Sequence, residues 1–263
     1  MTEKKKTTKM PRKALCKEKF FAMTDWLFKN KIFMAALMMI WVAFTTIAVQ
    51  YAVAFVALKM FDRETLTSTV GTTIMNAISW AISLLLILYI PKKLKKQWKS
   101  DREALGLMGL PTWTDIGLAP IGFVVMWILT SVVTALFSFF PWFDAGQAQN
   151  VGYDYTGYLA SSDKLVAFIT LVVIAPIIEE IIFRGWLYGK LRARFAMPIS
   201  ILLTSVLFGI VHLQWNVGVN VFATSIILCL LREITGTIYS GMILHMLKNG
   251  VAFFLLFVLG YGV

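Results

Sequence analysis

Long apolar runs separated by short polar segments set the pattern of this 263-residue chain. The runs are continuously apolar rather than alternating, which favours membrane-crossing helices over a membrane barrel. About 20 such residues suffice to cross a bilayer as a helix. The pattern predicts an all-α, polytopic transmembrane helical bundle of about seven helices, or eight if the last run is broken near Gly250. The predicted spans are residues 33–60, 71–91, 115–140, 164–190, 197–213, 217–232 and 237–260.

Composition agrees with a membrane protein. The chain is 59% hydrophobic and 15% charged, whereas soluble domains are about 45–50% apolar and about 25% charged. We expect residues 1–31 to form a basic cytoplasmic tail that is attracted to anionic lipid rather than to nucleic acid. Residues 32–263 would then form one transmembrane domain. With only Cys16 and Cys229 present, the sequence predicts neither a disulfide framework nor a cysteine metal site.

The distribution of basic residues predicts the orientation in the membrane. If the amino terminus is inside, 20 of the 25 Lys and Arg lie on the inner side and three on the outer side. Arg184 and Lys248 fall within spans, and Lys248 is assigned no chemistry. Because cytoplasmic loops carry an excess of Lys and Arg, we expect a cytoplasmic amino terminus. The membrane we expect is a bacterial plasma membrane.

Ionisable groups inside the apolar runs are the main candidates for function. A charge at the bilayer centre costs about 2.5–3.5 kcal/mol on insertion scales, so such groups are rarely kept without a role. Of the 14 acidic residues, only Glu179 and Glu180 are expected deep in a run. The chain has two histidines, His212 and His245, and both lie within or at the end of a run. The first three runs hold no comparable group, and we expect them to be scaffold.

The spacing of these residues indicates which of them act together. Glu180 and Arg184 are four apart and share a helix face, so they are expected to pair, whereas Glu179 is rotated away. His245 and Asn249 are also four apart and can address one cavity. Each group also has a structural explanation, as a buried ion pair, a packing histidine or an amide that joins two helices. Their concentration in the C-terminal half favours a common site.

These residue types could activate water. A carboxylate beside a histidine can take a proton from water, and a second histidine with an amide can stabilise an oxyanion. The alternative is a catalytic zinc ion held by Glu179, His212 and His245, since two histidines and a carboxylate are a common zinc set. The familiar metalloprotease motif would place two histidines four apart on one helix, and this sequence does not.

Three short segments resemble the motifs of a known family. EEIIFR, FGIVH and HMLKN resemble the EExxxR, FxxxH and HxxxN motifs of the CPBP family, which contains CAAX proteases and bacteriocin-processing (ABI) proteins. The resemblance covers about residues 103–260, and every motif position is intact. It implies an intramembrane glutamic endopeptidase that needs no cofactor and whose core is similar to the eukaryotic type II CAAX prenyl endopeptidase.

The resemblance also implies a role for each motif residue. Glu179 would activate water together with His212, and His245 with Asn249 would bind the oxyanion. The positions that would support this arrangement are Glu180 and Arg184. If the reaction used a metal, the ligands would be Glu179, His212 and His245. The expected substrate is a small peptide or a membrane-associated protein, and the other expected partner is the lipid bilayer.

Two other functional classes fit the composition. A non-proteolytic membrane scaffold or bacteriocin-immunity protein would use the same helices for binding alone. An ion-coupled transporter could use the same carboxylates, but the sequence contains no inverted repeat. The predicted spans also place His212 near the outer end of its helix and Glu179 toward the inner side, which separates two residues that the resemblance places together.

Overall fold

The computed structural model describes residues 29–94, 102–147, 153 and 160–260, so the expected tail lies almost wholly outside it. Every regular element in these ranges is helical. Six helices are long and apolar enough to cross a membrane, and a seventh apolar helix is shorter. The predicted all-α polytopic bundle is thus confirmed, and no break occurs near Gly250. The helices are α1 Lys31–Met60, α2 Thr69–Lys93, α3 Trp113–Phe137, α4 Ser161–Arg192, α5 Met197–Ile210, α6 Trp215–Thr235 and α7 Tyr239–Val258.

The chain divides into two compact units, residues 1–40 and residues 41–263. The predicted site residues all belong to the second unit. Its apolar centre is formed by α3, α6 and α7. The buried side chains that meet there are Ala119, Met126, Ile227, Leu228, Leu231 and Leu244.

The start of α3 is fixed by a buried carboxylate that the sequence pattern did not single out. Asp115 is 1% exposed, and its Oδ2 accepts hydrogen bonds from the backbone and hydroxyl of Thr112 at 2.9 and 2.7 Å. Its Oδ1 accepts a hydrogen bond of 2.6 Å from the hydroxyl of Thr237, which lies between α6 and α7. These bonds satisfy the buried charge and join the start of α3 to that turn.

Helix α5 is shorter than the predicted span over 197–213. It has 14 residues and ends at Ile210, after which the chain turns, and Leu213 has a φ of 56°. A helix of this length rises about 21 Å, which is less than the hydrocarbon thickness of about 30 Å. The predicted span thus extends three residues beyond the end of the helix, at Ile210. His212 belongs to the turn that follows a short helix.

Two glycines set the close packing of α5 against α6. A Cβ added to Gly209 would lie 2.8 Å from the carbonyl oxygen of Gly218, and one added to Gly218 would lie 3.0 Å from that of Gly209. Small residues of this kind let membrane helices approach closely. The contact lies three residues before His212 and so fixes the position of the turn.

We expect Gly209→Ala to destabilise the protein by about 1–3 kcal/mol, because the added methyl group meets backbone that cannot move aside cheaply. Thermal unfolding of the purified protein in detergent would measure the change. The matched control is Gly117→Ala in α3, where an added Cβ has nothing within 4 Å. Equal melting temperatures for the two variants would show that the α5–α6 contact tolerates a side chain.

Candidate active site

A cavity of about 460 Å³ lies within the helical bundle. Four of the predicted site residues line it, from α4, the α5–α6 turn and α7: Glu179, His212, His245 and Asn249. The other two, Glu180 and Arg184, are fully buried. The structure therefore brings together residues that are up to 70 positions apart in the sequence (179 to 249). Glu179 and His212, which the predicted spans placed at different depths, line the same cavity.

The predicted pairing of Glu180 with Arg184 is present. Arg184 Nη1 donates to Glu180 Oε1 at 2.9 Å, and both side chains are 0% exposed. The guanidinium also lies over the ring of Phe208, 4.3 Å from its centroid. Glu180 Oε1 is in turn 3.1 Å from His245 Nδ1. The pair thus neutralises a buried carboxylate and holds it against the histidine of α7.

His245 lies between the two adjacent glutamates. Its Nδ1 faces Glu180, and its Nε2 is 3.7 Å from Glu179 Oε2. Because a carboxylate oxygen next to an arginine only accepts, the Nδ1 proton is directed at Glu180, which fixes the orientation of the ring. The Glu179 side chain keeps 27% of its surface exposed. Of the two glutamates, Glu179 is therefore the one that is open to the cavity.

His212 is held by its own helix. Its Nδ1 lies 2.6 Å from the carbonyl oxygen of Phe208, four residues earlier. A carbonyl oxygen can only accept, so Nδ1 carries the proton and Nε2 of the neutral ring is left as a proton acceptor. His212 shares the cavity with Glu179 but forms no ion pair with it. The histidine that contacts Glu179 directly is His245.

Asn249 supplies a hydrogen bond that Pro176 cannot. Near this point α4 adopts π-helical turns, in which an N–H donates to the carbonyl five residues earlier, and the Ala175 N–H donates to Thr170 in this way. The next carbonyl, Leu171, would need the N–H of Pro176, which proline lacks. Asn249 Nδ2 donates to Leu171 O at 2.9 Å instead. One amide N–H of Asn249 thus joins α7 to α4, and the other remains available.

The cavity also has a polar wall that sequence reasoning missed. It comes from α1 and α2, so the expectation that these helices are only scaffold is wrong for this face. The signal was present in the sequence as polar residues four apart within apolar runs, Thr46 with Gln50 and Thr72 with Asn76. Lys248, which was assigned no chemistry, also lines the cavity. The lining residues from the first two helices are Thr46, Gln50, Thr72, Asn76, Trp80 and Ser83.

The predicted alternative ligands for zinc do not form a cluster. Across the described ranges, no group of three His, Cys, Asp or Glu side chains is arranged to hold a metal ion.

Comparison with known proteins adds two relationships. A family model described as type II CAAX prenyl endopeptidase Rce1-like matches residues 161–251. This range contains all six predicted site residues. A Bacillus subtilis (strain 168) protein named "Putative membrane peptidase YdiL" is 26% identical over 140 residues. The alignment covers 49% of this chain and 55% of the relative, so the chain spans about half the length of that protein. No solved structure matches the chain.

The sequence motifs and the geometry agree with these matches. Each of the three motifs contributes at least one residue to the cavity, and the matched range covers all the motif residues. The matches agree with the resemblance first indicated by EEIIFR, FGIVH and HMLKN. Residues 161–251 are similar to the Rce1-like type II CAAX prenyl endopeptidases, and this similarity, together with the match to the Bacillus subtilis protein, supports an assignment to the CPBP family.

Proposed function

We propose that this protein is an intramembrane endopeptidase of the glutamic type, which cleaves a peptide bond in a small peptide or a membrane-associated protein. The observation that carries the proposal is the exposure of Glu179 to a cavity that it shares with two histidines. Carboxylates and histidines inside an apolar bundle are costly to keep. Their arrangement around an open space favours chemistry on a bound molecule over a purely structural role.

In the proposed reaction, the Glu179 carboxylate takes a proton from a water molecule in the cavity. The water oxygen bonds to the carbonyl carbon of the substrate, and the C=O electrons move to the oxygen to form an oxyanion. The C–N bond breaks when the amide nitrogen receives a proton, which Glu179 returns with the help of His212. The products are a carboxylic acid and an amine, which become a carboxylate and an ammonium group by proton exchange, and the Glu179 carboxylate is regenerated. General acid–base catalysis of this kind contributes typically 10²–10⁴-fold to a rate.

The oxyanion is assigned to His245 and Asn249. A protonated His245 ring directs Nδ1–H at Glu180 and can donate from Nε2 to the oxyanion. Asn249 uses one amide N–H on Leu171, which positions the side chain and leaves the second N–H for the substrate. Loss of one such donor typically costs 10²–10³-fold in rate.

Proteolysis by the purified full-length protein tests the proposal. We expect the reconstituted wild type to cleave members of a quenched-fluorescence peptide mixture, and Glu179→Ala and His212→Ala to be inactive. Wild-type-like cleavage by both variants would refute the assignment. Activity that is lost with a chelator and restored by zinc would instead support a metal-dependent reaction. A binding-only scaffold or immunity protein, which is the alternative, predicts that the cellular phenotype survives Glu179→Ala and His245→Ala.

We also propose that the protein resides in a bacterial plasma membrane with its amino terminus in the cytoplasm. The excess of Lys and Arg on the proposed inner side supports this orientation. The proposed partners are the peptide substrate and the bilayer. Labelling of a cysteine introduced at Lys29 by a membrane-impermeant reagent would test the orientation, since labelling of intact cells would contradict it.

A further inference from the structure

Two carboxamide side chains line the catalytic cavity from helices that lie outside the matched family range. Gln50 belongs to α1 and Asn76 to α2, whereas the match begins at residue 161. Gln50 is exposed and Asn76 is half-buried. Among the described residues, neither carboxamide has a hydrogen-bond partner. Both therefore present free donors and a free acceptor to the cavity.

The neighbouring polar groups of the same wall are already used. The hydroxyl of Thr46 donates to the carbonyl of Val42 at 2.8 Å. The hydroxyl of Ser83 donates to the carbonyl of Thr45 at 2.9 Å, which joins α2 to α1. Polar groups inside a membrane protein are normally paired because an unpaired one is costly. The two carboxamides are thus exceptions among the polar side chains of this wall, because its three hydroxyl groups, on Thr46, Thr72 and Ser83, are all hydrogen-bonded.

The chemistry of this wall favours a peptide as its ligand. A carboxamide carries the same N–H and C=O groups as a peptide bond, so it can donate to and accept from one backbone unit at once. The cavity, at about 460 Å³, lies within the range of about 300–1,000 Å³ that is typical of ligand sites. Among the described residues, the lining holds one lysine and one glutamate, and it contains no cationic cluster of the kind that binds anionic lipid headgroups.

We propose that Gln50 and Asn76 form the backbone-binding subsite of this protein, which holds an extended segment of the substrate next to Glu179. The inference rests on the proposed peptidase function and adds two substrate-binding residues to it. Because Gln50 and Asn76 would hydrogen-bond to the backbone of the substrate, the subsite would bind peptides with little preference for the side chains of the peptide. Interactions that are equal in the ground and transition states change KM rather than kcat.

Kinetics of two variants that replace a carboxamide by an apolar side chain test the subsite. The probe is the member of the peptide mixture that the wild type cleaves fastest. We expect Gln50→Leu and Asn76→Leu each to raise KM about 3- to 10-fold, the effect of one neutral hydrogen bond, and to change kcat less than about 2-fold. The matched controls are Tyr51→Phe and Thr73→Val, which remove a polar group from the same helices at positions that do not line the cavity. The controls should keep the wild-type KM.

A substrate analogue identifies the partner atom. In a series of peptides, one backbone amide at a time is replaced by an ester, which removes a single N–H. At one position we expect the ester to raise the wild-type KM about 3- to 10-fold and to have no further effect in Asn76→Leu.

The outcomes separate this inference from the proposed function. If both leucine variants keep the wild-type KM while Glu179→Ala is inactive, the subsite is refuted and the peptidase assignment stands. A fall in kcat at unchanged KM would also refute the subsite, because it would place these residues in catalysis or folding. If anionic lipid vesicles compete with the peptide in the wild type and not in the leucine variants, a lipid subsite replaces the proposed one. If the wild type cleaves no peptide, the proposed function and the subsite fail together.

Discussion

Glu179→Gln is expected to lower the rate of peptide cleavage by about 10²–10⁴-fold, the usual contribution of a general base, and to leave the melting temperature unchanged. Glutamine has the shape of glutamate but cannot take a proton from water. Stability should be preserved because the Glu179 side chain is 27% exposed and its one ion-pair contact, with His245, is as long as 3.7 Å. Cleavage by protein in nanodiscs and thermal unfolding of the same samples measure both quantities.

The adjacent residue provides the matched control. Glu180→Gln makes the same chemical change one position along, but it leaves Arg184 fully buried without its counter-ion. This variant should melt at a lower temperature. Full activity of Glu179→Gln would contradict the role of Glu179 as the base. A large loss of stability in Glu179→Gln would show that Glu179 is a structural residue.

Arg184→Met is expected to destabilise the protein by about 3–5 kcal/mol, the cost of removing one partner of a buried ion pair. The Glu180 carboxylate, which is 0% exposed, would lose the donor that lies 2.9 Å away. The contact between the guanidinium and the Phe208 ring would also be lost. Thermal unfolding in detergent should therefore show a melting temperature well below that of the wild type.

A double variant distinguishes the effect of the unpaired buried charge on stability from the effect of lost side-chain packing. In Glu180→Leu/Arg184→Met both charges of the pair are absent, so much of the lost stability should return, as is common when a buried ion pair is replaced by apolar residues of similar size. Activity should not return, because His245 no longer has an acceptor for its Nδ1 proton. If Arg184→Met alone is as stable as the wild type, the pair contributes little to the fold.

Much of the fold follows from the apolar pattern, because length and charge decide which segments can cross a bilayer. The pairing of Glu180 with Arg184 was also predictable, since it lies within one helix at a fixed spacing. The EExxxR, FxxxH and HxxxN motifs further indicated which residues share a cavity. These predictions depend on local geometry or on the order of segments, and both can be read directly from a sequence.

Other features depend on how the helices pack, and the sequence pattern did not reveal them. The position of His212 is set by the contact of Gly209 with Gly218 and by the early end of α5. The bond from Asn249 to α4 requires a π-helical turn, which hydrophobic periodicity does not show. Gln50 and Asn76 carry no charge, and their spacing from Thr46 and Thr72 does not by itself distinguish a cavity wall from a contact between helices.

The short length of α5 has a consequence for the supply of one reactant. Peptide hydrolysis consumes a water molecule for each bond cleaved, and the centre of a bilayer of full thickness holds almost none. A helix of 14 residues is shorter than the hydrocarbon core of such a bilayer. Beside this helix, either the bilayer becomes thinner or water enters part of the hydrocarbon region. The turn with His212 lies at the end of this helix. In the proposed reaction, the mismatch would shorten the path of water to Glu179 and would link turnover to the thickness of the surrounding membrane.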